Sequence, residues 1–302
     1  MRHGMTDDEG FTPDPRDLTD GEILEKLSEG GIEITLDDFK SEAMKAGSPE
    51  MLAGNWAYMY GVRSGEEDSF LYSAVFELWR RHLGYEKRTP EIVSDFIDDI
   101  INTYEDSPEA HEQYFLLNIY ERVREFYHKL LKEDGSPDID LYNDMTWYAR
   151  NDFEGFLLTI PHELSQHGLT DQAVNIGRWF AAFSSQPQNF LRDAACILAD
   201  AGRREEAIMQ IEENLMRFPA DMWVIINAGD AMYSLGDKES AERHYLKAKK
   251  MAVTRSDNMV VLERLLDLYR ELGMQNRTLI IEDEIKALDL PLRKNNRDNN
   301  IQ

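Results

Sequence analysis

A single cysteine, Cys196, stands in the whole sequence, so no internal disulfide can form and no multi-cysteine zinc site can be built. Apolar residues never run long enough to cross a bilayer, which takes about 20 in succession, and membrane insertion is not expected. Basic side chains are scarce beside acidic ones: 33 Lys and Arg stand against 58 Asp and Glu, for a net charge of -25. That balance repels phosphate backbones and anionic lipid surfaces, so neither nucleic acid nor a membrane is an expected partner. The opening residues, MRHGMTDDEGF, have no apolar stretch after their basic residue, so neither a secretory signal nor a transit peptide is expected. Together with the low cysteine usage, this points to the cytoplasm. The acidity is uneven: residues 1–200 carry 40 acidic and 17 basic side chains, and residues 201–302 carry 18 and 16. Such an excess either keeps helix faces solvated or attracts a basic partner.

Catalytic signatures are also missing. There is no phosphate loop, dinucleotide glycine fingerprint or GxSxG elbow. His162-Glu163 and His167 in PHELSQH come near the zinc-protease pattern, but the second histidine lies five residues on rather than four, off the face of the first. Asp134, Ser136, Asp138 and Asp140 begin like a calcium loop. Ile139 then stands where the turn needs glycine, and Met145 where a bidentate glutamate is needed. The pairs Glu66-Glu67 and Asp98-Asp99 carry no mark of burial. No metal, cofactor or catalytic residue is expected, and the chain reads as a non-enzyme.

What the sequence does have is helix punctuation. Apolar residues recur at spacings of three and four, so the fold class is all-α. Ser48-Pro49-Glu50, Thr89-Pro90-Glu91 and Ser107-Pro108-Glu109 each combine a hydroxyl cap, a proline that needs no N–H partner, and a glutamate at the positive end of the helix dipole. Two shorter helices follow Thr19 and Thr35 and stop at Gly30-Gly31 and Gly47. A helix from about Pro90 to Glu105 buries its isoleucines and leaves Asp95, Asp98 and Asp99 to water, and a longer one runs from Pro108 toward Glu133. Residues 18–135 read as an irregular helical region, 141–290 as a repeat array, and 1–17 and 291–302 as disordered polar tails.

The repeat is visible in three segments that begin 34 residues apart: GLTDQAV from Gly168, GRREEAI from Gly202 and GDKESAE from Gly236. Each sets a glycine five residues before an alanine, namely Ala173, Ala207 and Ala241. With Pro219, Gly229 and Ala248, and a weaker fourth unit that includes Leu265, Tyr269 and Gly273, this pattern resembles the tetratricopeptide repeat over residues 151–290. The resemblance implies helical hairpins stacked into a short right-handed solenoid. The first unit departs from the family, because Pro161 predicts a helix break between Leu158 and Pro161 and Gly177 replaces a bulky residue. The N-terminal half followed by such an array also resembles bacterial proteins with a cysteine-rich SEC-C metal motif, but with Cys196 alone neither motif nor metal carries over.

In this repeat family the first helix of each hairpin lines a concave groove that holds peptides. By register, the resemblance places Asn189, Arg192, Trp223, Asn227, Asp230, Tyr233, Glu263, Asp267 and Arg270 there, beside Cys196, Asp200 and Ile226. Only Arg192 is basic in the first two units, so the groove lacks the carboxylate clamp of chaperone-binding members. The expectation is an interaction scaffold for a protein or peptide of basic character. The alternatives are a self-assembling helical-repeat protein and, behind it, an enzyme using the acidic N-terminal half.

Overall fold

The computed structural model describes residues 13–62, 66–84, 86–110 and 112–289; the Glu66-Glu67 side chains and the tails at 1–12 and 291–302 lie outside the described residues. Among the described residues there are fifteen α-helices and no strand. Those up to Thr103, together with Glu125–Asn151, form one compact unit, and Tyr104–Arg124, together with those from Asp152 onward, form a second.

The first unit starts earlier than its composition suggests. By composition residues 13–17 belong to a disordered tail, but Pro15–Asp17 form a 3-10 helix (η1) whose first N–H groups are met by Asp14. Pro15 is buried there, and the Arg16 guanidinium reaches Asp95 as a second anchor. Helices α1 (Asp20–Glu29) and α2 (Leu36–Lys45) open on reciprocal capping boxes, Thr19 with Glu22 and Thr35 with Asp38. Helix α3 (Pro49–Tyr60) opens on the Ser48 hydroxyl. Their apolar faces meet α4 (Glu66–Leu83) in a core centred on Ile23, Phe39, Trp56, Leu78 and Trp79. The Lys87 ammonium closes the end of α2 by donating to the carbonyls of Ala43 at 3.0 Å, Met44 at 2.8 Å and Ala46. A cation placed on orphan carbonyls answers both their lone pairs and the negative end of the dipole.

Helix α5 (Pro90–Asp106) begins where its proline indicates, although the buried Thr89 hydroxyl makes no cap bond. Its acids overturn the expectation that they face water. Asp98 is 0 % exposed and Asp95 is buried. The Asp98 carboxylate accepts the backbone N–H groups of Arg150 (3.0 Å to Oδ2) and Asn151 (2.9 Å to Oδ1), acting as the hydrogen-bond partner of a loop 52 residues away. Helix α6 (Gln113–Lys129) is a second correction, because it starts well after Ser107-Pro108-Glu109. The Ser107 hydroxyl accepts the Glu109 N–H at 3.1 Å inside an isolated turn, so the motif caps one turn and no helix. Helix α7 (Ile139–Met145) opens on Asp138.

The second unit holds four helical hairpins in chain order. They are α8 (Phe153–Gln166) with α9 (Thr170–Phe180), α10 (Gln188–Asp200) with α11 (Arg204–Arg217), α12 (Met222–Ser234) with α13 (Lys238–Met251), and α14 (Arg255–Glu271) with α15 (Gln275–Asp289). All four turns share one construction. In the third, Gly236 has φ +79°, its N–H bonds Tyr233 O, and the next N–H, of Asp237, bonds Met232 O. This is the Schellman pattern, which needs a left-handed residue at the helix end. Gly168, Gly202 and Gly273 repeat it, with φ between 65° and 77°. Before the hairpins, the early part of α6 lies on α9 through a stacked Tyr120–Trp179 pair at 5.6 Å.

The break expected between Leu158 and Pro161 does not occur: α8 runs unbroken through Pro161. Interior proline costs about 3 kcal/mol, but Phe153, Leu157, Ile160, Pro161 and Leu164 form one buried stripe on both sides of it. Burial of the larger side chains, worth about 1.5–3 kcal/mol each, outweighs that cost. Gly177 has a local reason, since a Cβ there would come within 2.6 Å of the Phe190 carbonyl oxygen.

Candidate functional site

Of the first helices of the second unit's hairpins, α10, α12 and α14 carry the residues expected to line a groove, and α8 carries none of them. These four helices are joined by polar side chains rather than by apolar contact alone. Asp193 on α10 is the hub: its carboxylate accepts from Asn227 Nδ2 on α12 at 2.5 Å and lies 3.5 Å from His162 Nε2 on α8. Hydrogen bonding to Asp193 raises the His162 imidazole above its usual pKa, against the opposing effect of burial. One hairpin further, Asp230 accepts from Arg264 Nε on α14, at 2.9 and 3.0 Å, and from the Tyr245 hydroxyl at 2.7 Å. Burial, reinforced by the Asp230 carboxylate, pushes the Tyr245 hydroxyl far up, so Tyr245 serves as a neutral donor.

Between these two pairs sits Cys196, whose thiol donates to the Asn227 carbonyl at 3.4 Å. Burial and the Asp230 and Asp193 charges push its pKa well up, so it is a protonated thiol without nucleophilic character. The ladder therefore fixes neighbouring helices in register. His167, the other histidine of PHELSQH, turns its Nδ1 to the Glu163 carbonyl at 2.8 Å rather than toward His162.

Beside the ladder, the partly buried Arg192 packs on the exposed Trp223. The Arg192 guanidinium carbon lies 5.7 Å from the Trp223 ring centroid, a cation–π contact between adjacent hairpins. Trp223 is 39 % exposed, although a tryptophan is a large apolar surface to leave in water. Asn189 donates to Gln186 Oε1 at 3.1 Å beside them. Arg192, Trp223, Asn227 and Asp230 are thus brought onto one connected face. Glu263 and Asp267 follow on α14 and are exposed.

Tyr233 and Arg270 are engaged elsewhere. Tyr233 donates to Glu271 and is capped by the Lys238 ammonium 3.1 Å from its ring centroid, and Arg270 donates to Glu282 on α15 at 2.8 Å. Sequence reasoning missed Asp193 and Arg264, and weighed His162 only as a metal ligand rather than as a partner of Asp193. A signal for two of them was present, since Asp193 and Asn227 are 34 residues apart, as are Asp230 and Arg264, the spacing of the glycine turns.

No model of a known protein family matches the chain, and no curated protein sequence matches it.

Proposed function

We propose that the chain is a non-catalytic interaction module. In this reading the four hairpins are tetratricopeptide-type repeats, and the face of their first helices binds an extended protein segment of basic character. The observation that carries the reading is Trp223, a partly exposed aromatic stacked under Arg192 on a face that the Asp193 and Asp230 ladders hold rigid. Aromatic and arginine side chains dominate binding hot spots, and a preorganised face loses less entropy on association. The basic character of the partner is inferred from charge. Asp193 and Asp230 are compensated by His162 and Arg264, whereas Asp200, Glu263 and Asp267 are exposed carboxylates open to incoming cations.

The test removes exposed side chains and spares the ladder. The triple variant Trp223→Ala, Glu263→Ala, Asp267→Ala keeps Asp230, whose loss would disturb Arg264 and Tyr245. Partners recovered with the wild-type chain from native lysate and identified by mass spectrometry are expected to bind the variant at least about tenfold more weakly. Undiminished binding of every such partner by a variant with unchanged helicity would sink the groove assignment.

A further inference from the structure

The interaction reading leaves one face of the last helix, α15, unused. Helix α15 packs inward through a single stripe. Ile281 is buried, Ile285 and Leu288 lie on the core, and Arg277, Glu282 and Glu284 pair with Glu242, Arg270 and Lys249. The opposite stripe, Asn276, Leu279, Ile280 and Asp283, is exposed at every position. Leu279 and Ile280 are 58 % and 59 % exposed, and Leu272 and Met274 beside the preceding turn are exposed as well. Exposed apolar side chains so close together form a patch rather than a scatter, and patches mark contact surfaces.

The preceding hairpin shows what this position does. Gly273 follows Gly236 by 37 residues, and the same step puts Leu279 and Ile280 where α13 has Glu242 and Arg243. Glu242 reaches the hairpin that follows it, accepting from the Tyr269 hydroxyl at 2.8 Å and from Arg277. Leu279 thus stands at an inter-hairpin contact position, but it is apolar and no hairpin follows it among the described residues. Charge and symmetry then select the occupant. Residues 201–302 carry 18 acidic and 16 basic side chains, so two copies that meet through α15 bring near-neutral segments together despite the acidity of the rest. Asn276 and Asp283 lie on either side of the Leu279-Ile280 pair, three residues away in each direction. An antiparallel copy therefore sets an amide donor against a carboxylate acceptor at both ends, which is the self-complementarity an isologous contact requires. Asp283 pairs only with Lys286 of its own helix, and both side chains are more than 70 % exposed, so that bond is easily exchanged.

We propose that α15 docks on α15 of a second copy of this chain, antiparallel about a two-fold axis that passes between Leu279 and Ile280. The contact continues the hairpin-on-hairpin packing of the second unit and buries the patch on both copies. It closes at two. The first hairpin offers no matching open face, because the Tyr104 ring already lies on Phe156 of α8 and the Tyr120 ring on Trp179 of α9. A head-to-tail chain of copies has nothing equivalent to add to. A contact of one helix from each copy is small, so the dimer is a weak one.

Sedimentation equilibrium of the full chain from about 5 to 500 µM in 0.15 M potassium chloride tests this. The mass is expected to rise from that of one chain to that of two, with half-association at about 10–100 µM. The double variant Leu279→Asp, Ile280→Asp changes only exposed positions and is expected to weaken association about tenfold or more at unchanged helicity. Asn276→Asp sets carboxylate against carboxylate in the antiparallel pair and is expected to weaken it about threefold. An acidic residue in the first turn suits the helix dipole, so loss of folding does not confuse this result. The groove variant Trp223→Ala, Glu263→Ala, Asp267→Ala is expected to dimerise like the wild type, which separates this contact from the proposed groove. More salt should tighten the dimer, because it screens repulsion between two acidic chains. A single-chain mass at every concentration leaves the face to another protein or to residues 290–302 and overturns the proposal. So does a dimer that either α15 variant holds as tightly as the wild type, or one that salt loosens.

Discussion

Gly177 on α9 and His162 on α8 show how much a single position can carry. A methyl group at Gly177 would sit 2.6 Å from a backbone oxygen, that of Phe190, and a backbone yields less readily than a side chain. Gly177→Ala is expected to lower unfolding free energy by about 1–3 kcal/mol, read from the urea midpoint at unchanged m-value. His162 makes a prediction in pH. Its pKa is raised in the fold by Asp193, so its contribution is fully present below the unfolded-state value, about 6.5, and is lost as pH rises through the folded value above it. The stability gap between the wild type and His162→Gln should therefore be largest near pH 5.5 and vanish toward pH 8.5. Because the side chain is half-exposed, the gap amounts to a few tenths of a kcal/mol. A gap that widens with rising pH would refute the assigned pair.

At the level of elements, what was legible in the residues is the local chemistry. The starts at Thr19, Thr35 and Ser48 and the glycine-ended helices can be read directly, because a cap and its N–H partner lie within three residues. The same tripeptide logic fails at Ser107, where the hydroxyl serves a turn, whereas at Thr89 the helix starts as expected but without a bond from the hydroxyl. Helix identity depends on the residues beyond a cap as well as on the cap itself. The burial of Asp98 was illegible for another reason, since its partners lie 52 residues away and no periodicity within α5 encodes them. Of the candidate face, Arg192, Trp223 and Asp230 came from register, but the pairing that connects them required side-chain geometry. Pro161 is the instructive miss. Propensity argued for a break, and the buried stripe of α8 prevailed. Pro161→Ala restores an N–H for the Leu157 carbonyl and removes the ring clash, worth about 3 kcal/mol, at the loss of two buried methylenes, worth about 1.6 kcal/mol. A net stabilisation of about 1 kcal/mol is expected in thermal melts, and a lower melting temperature would show that α8 depends on the ring's packing.

For the whole molecule the governing quantity is the net charge of -25. Like-charge repulsion of this size opposes the folded state, and its range falls from about 30 Å at 0.01 M salt to about 8 Å at 0.15 M. The chain also contains many ion pairs, which salt weakens. Several of these, such as Arg124–Glu121 and Arg243–Glu239, join side chains that are each more than 40 % exposed, and pairs of that kind contribute little. Removal of the repulsion should prevail, so the melting temperature is expected to rise as potassium chloride increases from about 10 to 150 mM. The proposed recognition of a basic segment by Glu263, Asp267 and Asp200 rests on attraction between opposite charges, which the same salt screens. The two measurements should therefore move in opposite directions over one titration. Stability increases, while association with the partner slows and weakens, mainly through the on-rate. A chain whose partner binding is indifferent to salt while its stability rises would use Trp223 as an apolar anchor without electrostatic selection, and the basic character assigned to the partner would then be wrong.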